Sequence, residues 1–455
     1  MYVKSFLLYI AVLALLEFPV SSGTLSVTAG VGFASAEEGH TMEYSSERAE
    51  SEAEEPTGIV TLEQAVSLAI LRNPELKAFS LEVRAQDARA LQSGLFPNPE
   101  IGVEVENFGG EKELRDFDSS ETTVQLSQLI ELAGKRPKRR KVASLERDLA
   151  GWDYEAKRAD VLSETTQAFV DVLAAQERFS LMDELAGLSE QVLNTISERV
   201  KAGKVSPLEE TRAGVSYSTS LIDLERARRR LDASRKKLAA LWGSGTPLFE
   251  RVDGELERIA PILSAAQLED TISKNPDIAR WSVEMEQRQE TVKLEKAERI
   301  PDLTLSGGIR RFKETDNNAF VMGLSIPLPL FDRNSGGVRE ARQRQSKAVE
   351  EQRAAELIVL NALAEAYQEL SIAYAEAKAL QQDVLPGAQT AFDGASEGYR
   401  QGKFGYLDVL DAQRTFFEAR GRYIESLASY HKSKAQVNRL TGVGLDAVFK
   451  EISQE

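Results

Sequence analysis

Cysteine is absent from the 455-residue chain, and histidine occurs only twice, as His40 and His431. Without cysteine the chain cannot form a disulfide framework, a thiolate metal site, a cysteine nucleophile or a lipid-modified cysteine anchor. Two histidines leave little for a histidine-based metal cage or an acid–base pair. No His or Met residues have metal-ligand spacing, so the sequence predicts neither a cofactor nor a resident metal. His431 lies in a polar stretch of a predicted helix and is expected on the surface.

Long apolar runs and proline are also scarce. The mean hydropathy is below zero, which argues against a bundle of membrane helices, because each of these needs ~20 consecutive apolar residues. Only 14 prolines occur among many Ala, Glu, Leu, Arg and Gln residues, a composition that favours long helices. A glycine-rich phosphate loop and a nucleophile–base pair are not found either, so an enzymatic function is not predicted.

The N-terminus has the three parts of a secretory signal peptide. Lys4 precedes an apolar run over residues 6–16, and residues 34–36 form an A-x-A cleavage site. Residues 1–36 are therefore predicted to be removed on export to the bacterial periplasm or beyond. Cleavage nearer Ser22 and an uncleaved anchor helix are the alternatives.

An acidic stretch follows over residues 37–58. It holds eight glutamates and one arginine and few apolar residues, a composition typical of a disordered tail. This stretch carries nearly half of the formal net charge of −16, so the body of the chain is only mildly acidic. A nucleic-acid partner is not implied.

An internal repeat organises the remainder of the chain. Asn275-Pro276 repeats Asn73-Pro74, and the Gly-Lys pair at 402–403 repeats that at 203–204. An offset of about 200 residues is that of a duplicated domain and not of a solenoid. The two predicted copies are residues 59–248 and 249–455.

Each copy has the same predicted order: a short helix ending at Asn-Pro, a second helix, a β-hairpin and a long helical hairpin. In each copy, two segments with apolar side chains at every second position flank a polar loop, and this pattern indicates a β-hairpin. The longest helices would span ~100 Å, and Pro386 is expected to kink one of them. The predicted helices are residues 76–93, 136–201, 207–241, 278–298, 338–400 and 406–440. The predicted strands centre on residues 101–105, 124–128, 303–309 and 320–326.

These helices are too long and too polar to surround one globular core. Leu162, Phe169 and Leu173 belong to an apolar stripe flanked by charges, the pattern of a coiled-coil surface that is packed on one side and wet on the other. The predicted fold class is therefore mainly α, with duplicated coiled-coil helical hairpins and a small β part.

The four predicted strands of about nine or ten residues have the length that crosses an outer membrane when tilted. Open sheet edges cannot lie in lipid, because each unpaired backbone group there costs several kcal/mol. Four strands cannot close a barrel, since the smallest have ~8. Either the hairpins pack on soluble structure, or several chains share one barrel. Two chains would supply 8 strands and three would supply 12, and the sequence does not choose between them.

With this organisation the chain resembles the TolC-like outer-membrane efflux protein family, over about residues 61–442. The most specific match is residues 399–413, which read YRQGKFGYLDVLDAQ and are similar to the family's Y-x-x-G-x-x-x-x-x-D-V-L-D-A motif at the periplasmic tip. Residues 132–136 (LAGKR) and 326–333 (IPLPLFDR) resemble its heavy-metal, cobalt–zinc–cadmium resistance branch.

The resemblance implies a homotrimer whose 12 shared strands form one outer-membrane β-barrel and whose helical hairpins form an α-barrel tunnel across the periplasm. It also implies docking on a periplasmic adaptor protein and on an inner-membrane, proton-driven pump of the resistance-nodulation-division type. The implied location is outer-membrane lipid, with a long periplasmic extension. The implied function is that of a passive exit duct, not of an enzyme, with heavy-metal cations as cargo in the branch that it resembles.

The resemblance also nominates a periplasmic gate. Asp408 and Asp411 share one helix face, and three-fold symmetry would bring six carboxylates into a ring that attracts cations. The alternative is an ordinary solvated helix start, where acids favour the dipole. Tyr399 matches a gate-lock tyrosine, and Glu209, the first-copy counterpart of Asp408, is expected to accept a hydrogen bond across the closed mouth. Phe404 stands where the family's best-known member has an arginine, so a salt-bridge lock is not expected there.

Two further groups are singled out. Glycines at helix C′ positions are expected to end the outgoing helices, and the tips that follow are the predicted adaptor contacts: Gly203, Val205, Ser206, Pro207, Gly402, Phe404, Gly405 and Leu407. A basic run lies at a helix start, where cations oppose the dipole: Lys135, Arg136, Lys138, Arg139, Arg140 and Lys141. Anionic head groups at the membrane interface are its expected partners, and a solvated charge run is the alternative.

Two rival functions are weighed against the duct. A soluble periplasmic coiled-coil adaptor or scaffold would also have an export signal and long helices. Adaptors usually need a lipoyl-like β-domain between their helices, and no such segment is found. An enzyme with its site at the repeat interface would need a catalytic constellation that the sequence lacks.

Overall fold

The computed structural model describes residues 55–442, so the predicted signal peptide and most of the acidic stretch lie outside the described residues. The helices are α1 (Leu62–Arg72), α2 (Pro74–Ser93), α3 (Lys135–Lys201), α4 (Pro207–Ala240), α5 (Ala265–Glu269), α6 (Pro276–Ala297), α7 (Ser335–Ala379), α8 (Leu385–Arg400) and α9 (Tyr406–Thr441). The strands are β1 (Gly58–Thr61), β2 (Glu100–Glu106), β3 (Glu121–Ile130), β4 (Phe249–Asp253), β5 (Leu303–Phe312) and β6 (Asn317–Ser325).

The described residues divide into two compact units. The sheet unit consists of residues 93–139 and 293–339, and the helical unit consists of residues 55–92, 140–292 and 340–442. None of the helices in residues 55–442 has a stretch that is both long and apolar enough to cross a membrane.

The sheet unit contains a four-stranded antiparallel sheet in the order β2-β3-β5-β6. Both predicted β-hairpins are confirmed. β3 also pairs with β5, from Glu121 opposite Phe312 to Ile130 opposite Leu303, so the hairpins of the two copies form one sheet. Among the described residues no strand pairs with the outer edge of β2 or of β6, which leaves two open edges.

The two faces of this sheet differ in polarity because successive residues of a strand point to opposite sides. On one side, called the apolar face, Val103 lies opposite Val124 and Ile309 lies opposite Phe320. Phe320 is 80% exposed and Met322 is 90% exposed. An exposed apolar face of this extent indicates contact with lipid or with another chain.

The opposite side, called the polar face, carries a small ionic network. Arg310 pairs with Glu106 at 3.0 Å and with Glu121 at 2.8 Å, and its Nε donates to the Thr123 hydroxyl at 2.9 Å. Apolar and polar sides that alternate along every strand are typical of a sheet with lipid on one face and water on the other.

Two long helical hairpins make up most of the helical unit, α3 with α4 and α7–α8 with α9. Their bounds confirm the predicted long helices to within a few residues. Phe169 and Val172 of α3 pack against Leu238 of α4 and Leu427 of α9 in a shared core. The apolar stripe read from the sequence is therefore the seam between the hairpins.

Close to Pro386, where the sequence predicts a kink, a π-helical turn over Leu380–Val384 separates α7 from α8. The N–H of Leu385 bonds to the carbonyl of Leu380, five residues earlier. Because Pro386 has no N–H to continue the regular ladder, a wider turn at this place is expected.

The Asn-Pro pairs of the repeat hold helix ends together. The side-chain amide of Asn73 donates to the carbonyl of Leu241, at the end of α4, at 2.9 Å. Asn275 donates to the carbonyl of Leu440, in the last turn of α9, also at 2.9 Å. The Oδ1 atoms of both asparagines accept an N–H from the first turn of the helix that follows, at 2.9 and 2.8 Å. Each asparagine thus joins a helix start to a helix end, and the next proline fits because the first helical N–H needs no partner.

Three features differ from the sequence predictions. The strands β1 and β4, which are not among the predicted strands, form a parallel pair whose Val60 and Val252 enter the core. Strands of four and five residues are too short to show a clear two-residue period. The short helix before the second Asn-Pro pair is divided into α5 and a 3₁₀ turn over Ile272–Lys274. The last strand ends at Ser325, one residue before its predicted end, because Pro327 cannot donate to a ladder.

The described structure already includes the last residues of the predicted acidic tail. Glu55 accepts a hydrogen bond from the Trp242 indole at 3.0 Å and pairs with Arg72 at 3.6 Å. β1 begins at Gly58, one residue before the predicted start of the first copy. Residues 55–58 are therefore attached to the helical unit.

Candidate functional site

The two helical hairpins end in the same backbone arrangement. At the end of α3 the N–H of Gly203 bonds to the carbonyl of Val200, and the N–H of Lys204 bonds to that of Arg199, both at 2.9 Å. Gly203 has a φ of +69°. This pair of bonds is a Schellman motif, in which glycine adopts the left-handed conformation without a Cβ penalty.

The end of α8 repeats this motif. The N–H of Gly402 bonds to the carbonyl of Tyr399 at 3.0 Å, and the N–H of Lys403 bonds to that of Gly398 at 2.8 Å. Gly402 has a φ of +75°. The prediction that these two glycines end the outgoing helices is confirmed.

The returning helices begin with different caps. α4 follows Ser206, whose Oγ accepts an N–H of the first turn at 3.2 Å, and Pro207 occupies its first position. α9 follows Gly405, whose N–H donates to the Asp408 carboxylate at 2.8 Å. Glu209 and Asp408 both occupy the third position of their helices, so their positions are equivalent. Only the Asp408 carboxylate caps its own helix.

A small apolar core joins the ends of both hairpins. Buried Ile196, Ala213 and Tyr406 form its centre, and Tyr399 and Val205 pack against them. These side chains come from α3, α4, α8, α9 and one tip. The two tips are therefore held by one set of contacts.

Tyr399 and Glu209, two residues of the predicted gate, lie close together at this core. The hydroxyl of Tyr399 and Oε2 of Glu209 are shielded from solvent and have no hydrogen-bond partner among the described residues. Burial raises the pKa of the Tyr399 phenol, nearby Arg199 opposes this rise, and the charge of Glu209 adds to it. The charge of Glu209 therefore favours the neutral form of the phenol, and a hydrogen bond to Glu209 across the closed mouth stays a prediction.

Sequence reasoning missed two members of this cluster. The guanidinium carbon of Arg199 lies 4.7 Å from the centroid of the Tyr399 ring, a cation–π contact. The ring centroid of Tyr406 lies 6.1 Å from that of Tyr399. Burial raises the pKa of Tyr406 to about 12, with Tyr399 and Glu209 adding to the rise. Arg199 lies in the last turn of α3, just before Gly203, and Tyr406 lies in the first turn of α9, just after Gly402. This nearness to the glycines that end the helices is the signal that could have identified both residues.

The other tip side chains face outward. Asp408, Asp411 and Leu407 are exposed, and no basic side chain of residues 55–442 forms an ion pair with Asp411. Phe404 is half-exposed, and its ring lies directly on Gly398, where a Cβ would come within 2.1 Å of it. Phe404 therefore packs against the last turn of α8.

The basic run of the sheet unit is paired within the chain. Lys135 is only 4% exposed and pairs with Asp302 at 2.9 Å and with Glu298 at 3.4 Å. Arg139 makes two bonds to Glu131, at 2.6 and 3.2 Å. These acids neutralise cations that would otherwise oppose the dipole of α3.

The remaining cations of the run have varied surroundings. Arg136 lies over the ring of Phe96, with 3.5 Å between its guanidinium carbon and the ring centroid, and Lys138 donates to a backbone carbonyl at 2.6 Å. In the helical unit, Lys141 pairs with a glutamate of α6 at 2.9 Å, and Arg140 is exposed. The run therefore has a structural role, and contact with lipid head groups stays a prediction.

The prediction that His431 lies on the surface is wrong. Its Nε2 is 2.9 Å from the carbonyl oxygen of Leu256, and the ring of Tyr430 packs edge-on at 5.1 Å. Burial lowers the pKa of His431. Because α9 packs against neighbours on several sides, a polar stretch of its sequence does not indicate exposure. Residues 55–442 hold no cluster of His, Asp and Glu side chains able to bind a metal ion.

Comparisons with known proteins agree with this architecture. The sequence profile of the family described as outer membrane efflux protein matches residues 65–244 and 268–443, which correspond to the two copies. The cobalt-zinc-cadmium resistance protein CzcC of Cupriavidus metallidurans is 37% identical over 297 residues, which cover 65% of this chain and 69% of that protein.

Solved structures share the fold at lower sequence identity. A membrane protein from Pseudomonas aeruginosa aligns with a TM-score of 0.72 at 20% identity, covering 84% of this chain and 90% of the other. The CmeC outer membrane channel of Campylobacter jejuni aligns with a TM-score of 0.71 at 16% identity, covering 96% and 98% of the two chains.

Proposed function

The chain belongs to the outer membrane efflux protein family, and we propose that three copies of it form the exit duct of a tripartite efflux system. It is an outer-membrane channel protein with the TolC-like fold. The trimer, the partners, the gate and the cargo are parts of the proposal. The duct is passive and carries out no catalysis, so its selectivity must come from its walls and its mouth.

The observation that carries the proposal is the four-stranded sheet. Its apolar face is exposed, its polar face carries the Arg310 network, and both edges are open. Open edges cannot lie in lipid because their backbone groups would be unsatisfied. Three copies joined edge to edge would close these edges and supply 12 strands, enough for a barrel around an aqueous pore.

Cysteine pairs placed at the two edges test this assembly. Val103 lies on β2, and Phe320, Met322 and Leu324 lie on β6, all on the apolar face. Within one chain these strands are three spacings apart, or ~14 Å, which is too far for a disulfide. Val103→Cys combined with a cysteine at one of the β6 positions is therefore expected to give disulfide-linked dimers and trimers on non-reducing gels of outer-membrane fractions.

The single variants serve as controls, because the natural chain has no cysteine and each of them lacks one partner of the pair. The three β6 positions cover three registers between neighbouring copies. If all three double variants run as monomers, or if the protein is found in the soluble periplasm, the shared sheet is contradicted. The second outcome would favour the alternative of a soluble coiled-coil adaptor or scaffold.

We place the gate at the hairpin ends. Asp408 and Asp411 of three copies would line the narrow mouth as a cation-attracting ring, as the resemblance implies. Tyr399, Arg199 and Glu209 would hold the tips of each copy in position beside that ring. Support comes from the shared apolar core of the tips and from the exposure of both aspartates.

The partners would be a periplasmic adaptor and an inner-membrane, proton-driven pump of the resistance-nodulation-division type. The adaptor would contact the tips around Gly203 and Gly402, with Val205, Ser206, Pro207, Phe404, Gly405 and Leu407. Two matching Schellman turns would present similar surfaces to the adaptor, six in a trimer. This suits an adaptor ring with repeated binding units.

The cargo proposed is a heavy-metal cation. The support is the similarity to the cobalt-zinc-cadmium resistance protein and the acidic mouth. A strain that lacks this protein is expected to tolerate several-fold less cobalt, zinc or cadmium, and the intact gene should restore its tolerance.

Growth on graded metal salts measures this effect, and growth on organic toxins is the matched control. Unchanged metal tolerance together with new sensitivity to an organic compound would overturn the metal cargo and leave the duct in place.

A further inference from the structure

The segment that joins β6 to α7 exposes an unusual amount of apolar surface. Residues 326–331, called the proline segment, read IPLPLF. Leu328 is 75% exposed, Leu330 is 65% exposed and Phe331 is 99% exposed. Exposed single apolar residues are ordinary, but a contiguous group of this kind marks a contact surface.

The proline segment continues the pattern of the apolar face. Along β6, Phe320, Met322 and Leu324 occupy alternate positions on that face, and Ile326, Leu328 and Leu330 extend the alternation beyond the end of the strand. Pro327 and Pro329 take the positions between them. The apolar character of the sheet edge therefore runs on after the hydrogen-bonded ladder has stopped at Ser325.

Another strand cannot cover this surface by pairing with it. Pro327 and Pro329 have no backbone N–H, and prolines at a sheet edge block the addition of a strand. The joining of sheet edges between copies should thus end where the proline segment begins. This leaves its side chains free for a partner that does not need backbone hydrogen bonds.

Hydrogen bonds brace the proline segment within the sheet unit. The N–H of Leu330 donates to the carbonyl of Leu328 at 2.8 Å, and Nε of Arg333 donates to the carbonyl of Pro329 at 3.1 Å. Asn334 fixes the far end through its amide, which donates to the Glu295 carboxylate at 2.7 Å and to its carbonyl at 3.0 Å. The apolar side chains therefore project from a braced loop.

We propose that the proline segment lies in the interfacial layer of the membrane, with Leu328, Leu330 and Phe331 in contact with lipid. Irregular backbone is not found in the hydrocarbon itself, whereas apolar and aromatic side chains are favourable at the boundary between head groups and acyl chains. Asp332 and Arg333 follow at once and would mark the limit of that layer. The inference rests on the proposed placement of the apolar face in lipid.

Spin labels test the inference, and the cysteine-free chain allows one label at a time. Leu328→Cys and Phe331→Cys receive a nitroxide in the full-length protein, reconstituted in phosphatidylethanolamine and phosphatidylglycerol vesicles. Collisions with oxygen, which concentrates in lipid, are compared with collisions with a water-soluble nickel chelate. Met322→Cys on the apolar face is the lipid reference, and Leu407→Cys at the tip is the water reference.

The oxygen-to-nickel ratio at positions 328 and 331 is expected to be several-fold above that at Leu407 and no higher than that at Met322. A ratio at both positions equal to that at Leu407 would overturn the inference by placing the segment in water. Labels shielded from both reagents would overturn it by showing protein cover. If the Met322 label itself is in water, the proposed placement of the sheet has failed, an outcome distinct from failure of the inference alone.

Discussion

Replacing Asp408 and Asp411 together by asparagine is expected to lower the preference of the channel for cations over anions several-fold in planar bilayers. In the proposed trimer the change removes six carboxylates from the proposed mouth. Asparagine is chosen because its Oδ1 can still accept the N–H of Gly405, which Asp408 binds at 2.8 Å. Alanine would also remove that cap, worth ~1 kcal/mol, and would mix a folding effect with an electrostatic one.

The matched control is Asp393→Asn, which neutralises an exposed acid in the same hairpin, on α8. Its effect on ion preference should be small. The effect of the double variant should weaken as salt is raised, because charges more than ~10 Å apart are largely screened at 0.1 M. An unchanged ion preference at low salt would contradict the acidic ring and leave the two aspartates as ordinary residues of a helix start.

Replacing Asn275 by alanine is expected to destabilise the helical unit by about 2–4 kcal/mol. The side chain is fully buried, and it joins the end of α9 to the start of α6 through bonds of 2.9 and 2.8 Å. Loss of the cap costs ~1 kcal/mol, and leaving the buried Leu440 carbonyl without its partner costs ~1–3 kcal/mol. The midpoint of guanidinium unfolding, followed by far-ultraviolet circular dichroism, measures the change.

Two further variants sharpen this test. Asn275→Ser keeps an acceptor for the helix cap, but its shorter side chain cannot reach the Leu440 carbonyl. The unfolding free energy of this variant should therefore lie between those of the wild type and of the alanine variant. Asn194→Ala, at an exposed position of α3, should change the unfolding free energy by less than ~0.5 kcal/mol. If Asn275→Ala is as stable as the Asn194→Ala control, the hydrogen bonds of Asn275 are not needed to join the end of α9 to the start of α6.

Elements with a long, regular pattern could be predicted from the sequence. The helices of the hairpins and the strands of the sheet lie within a few residues of their predicted bounds, because period and breakers act locally. Gly203 and Gly402 were identifiable since a helix end needs a left-handed residue. The strand pair β1 and β4 could not be predicted from the sequence, because strands this short are stabilised by the core that they enter and not by a pattern of their own.

The candidate site divides in the same way. Tyr399, Asp408 and Asp411 were nominated by the resemblance of residues 399–413 to the family's tip motif. Arg199 and Tyr406 were not, because their contacts with Tyr399 depend on how the ends of two hairpins pack. His431 was assigned to the surface since neighbouring residues are polar, yet α9 is packed on several sides and the histidine ring is largely enclosed.

The sequence alone determined that this protein is a duplicated, mainly helical chain with two β-hairpins and without cysteine-based chemistry. Those features follow from composition, local period and glycine or proline positions, which act over a few residues. Only the tertiary structure decided that both hairpins form one sheet with two open edges, and that Glu209 and Asp408 differ in role despite equivalent positions. Such outcomes depend on contacts between residues far apart in the chain, where packing and burial decide which polar groups find partners.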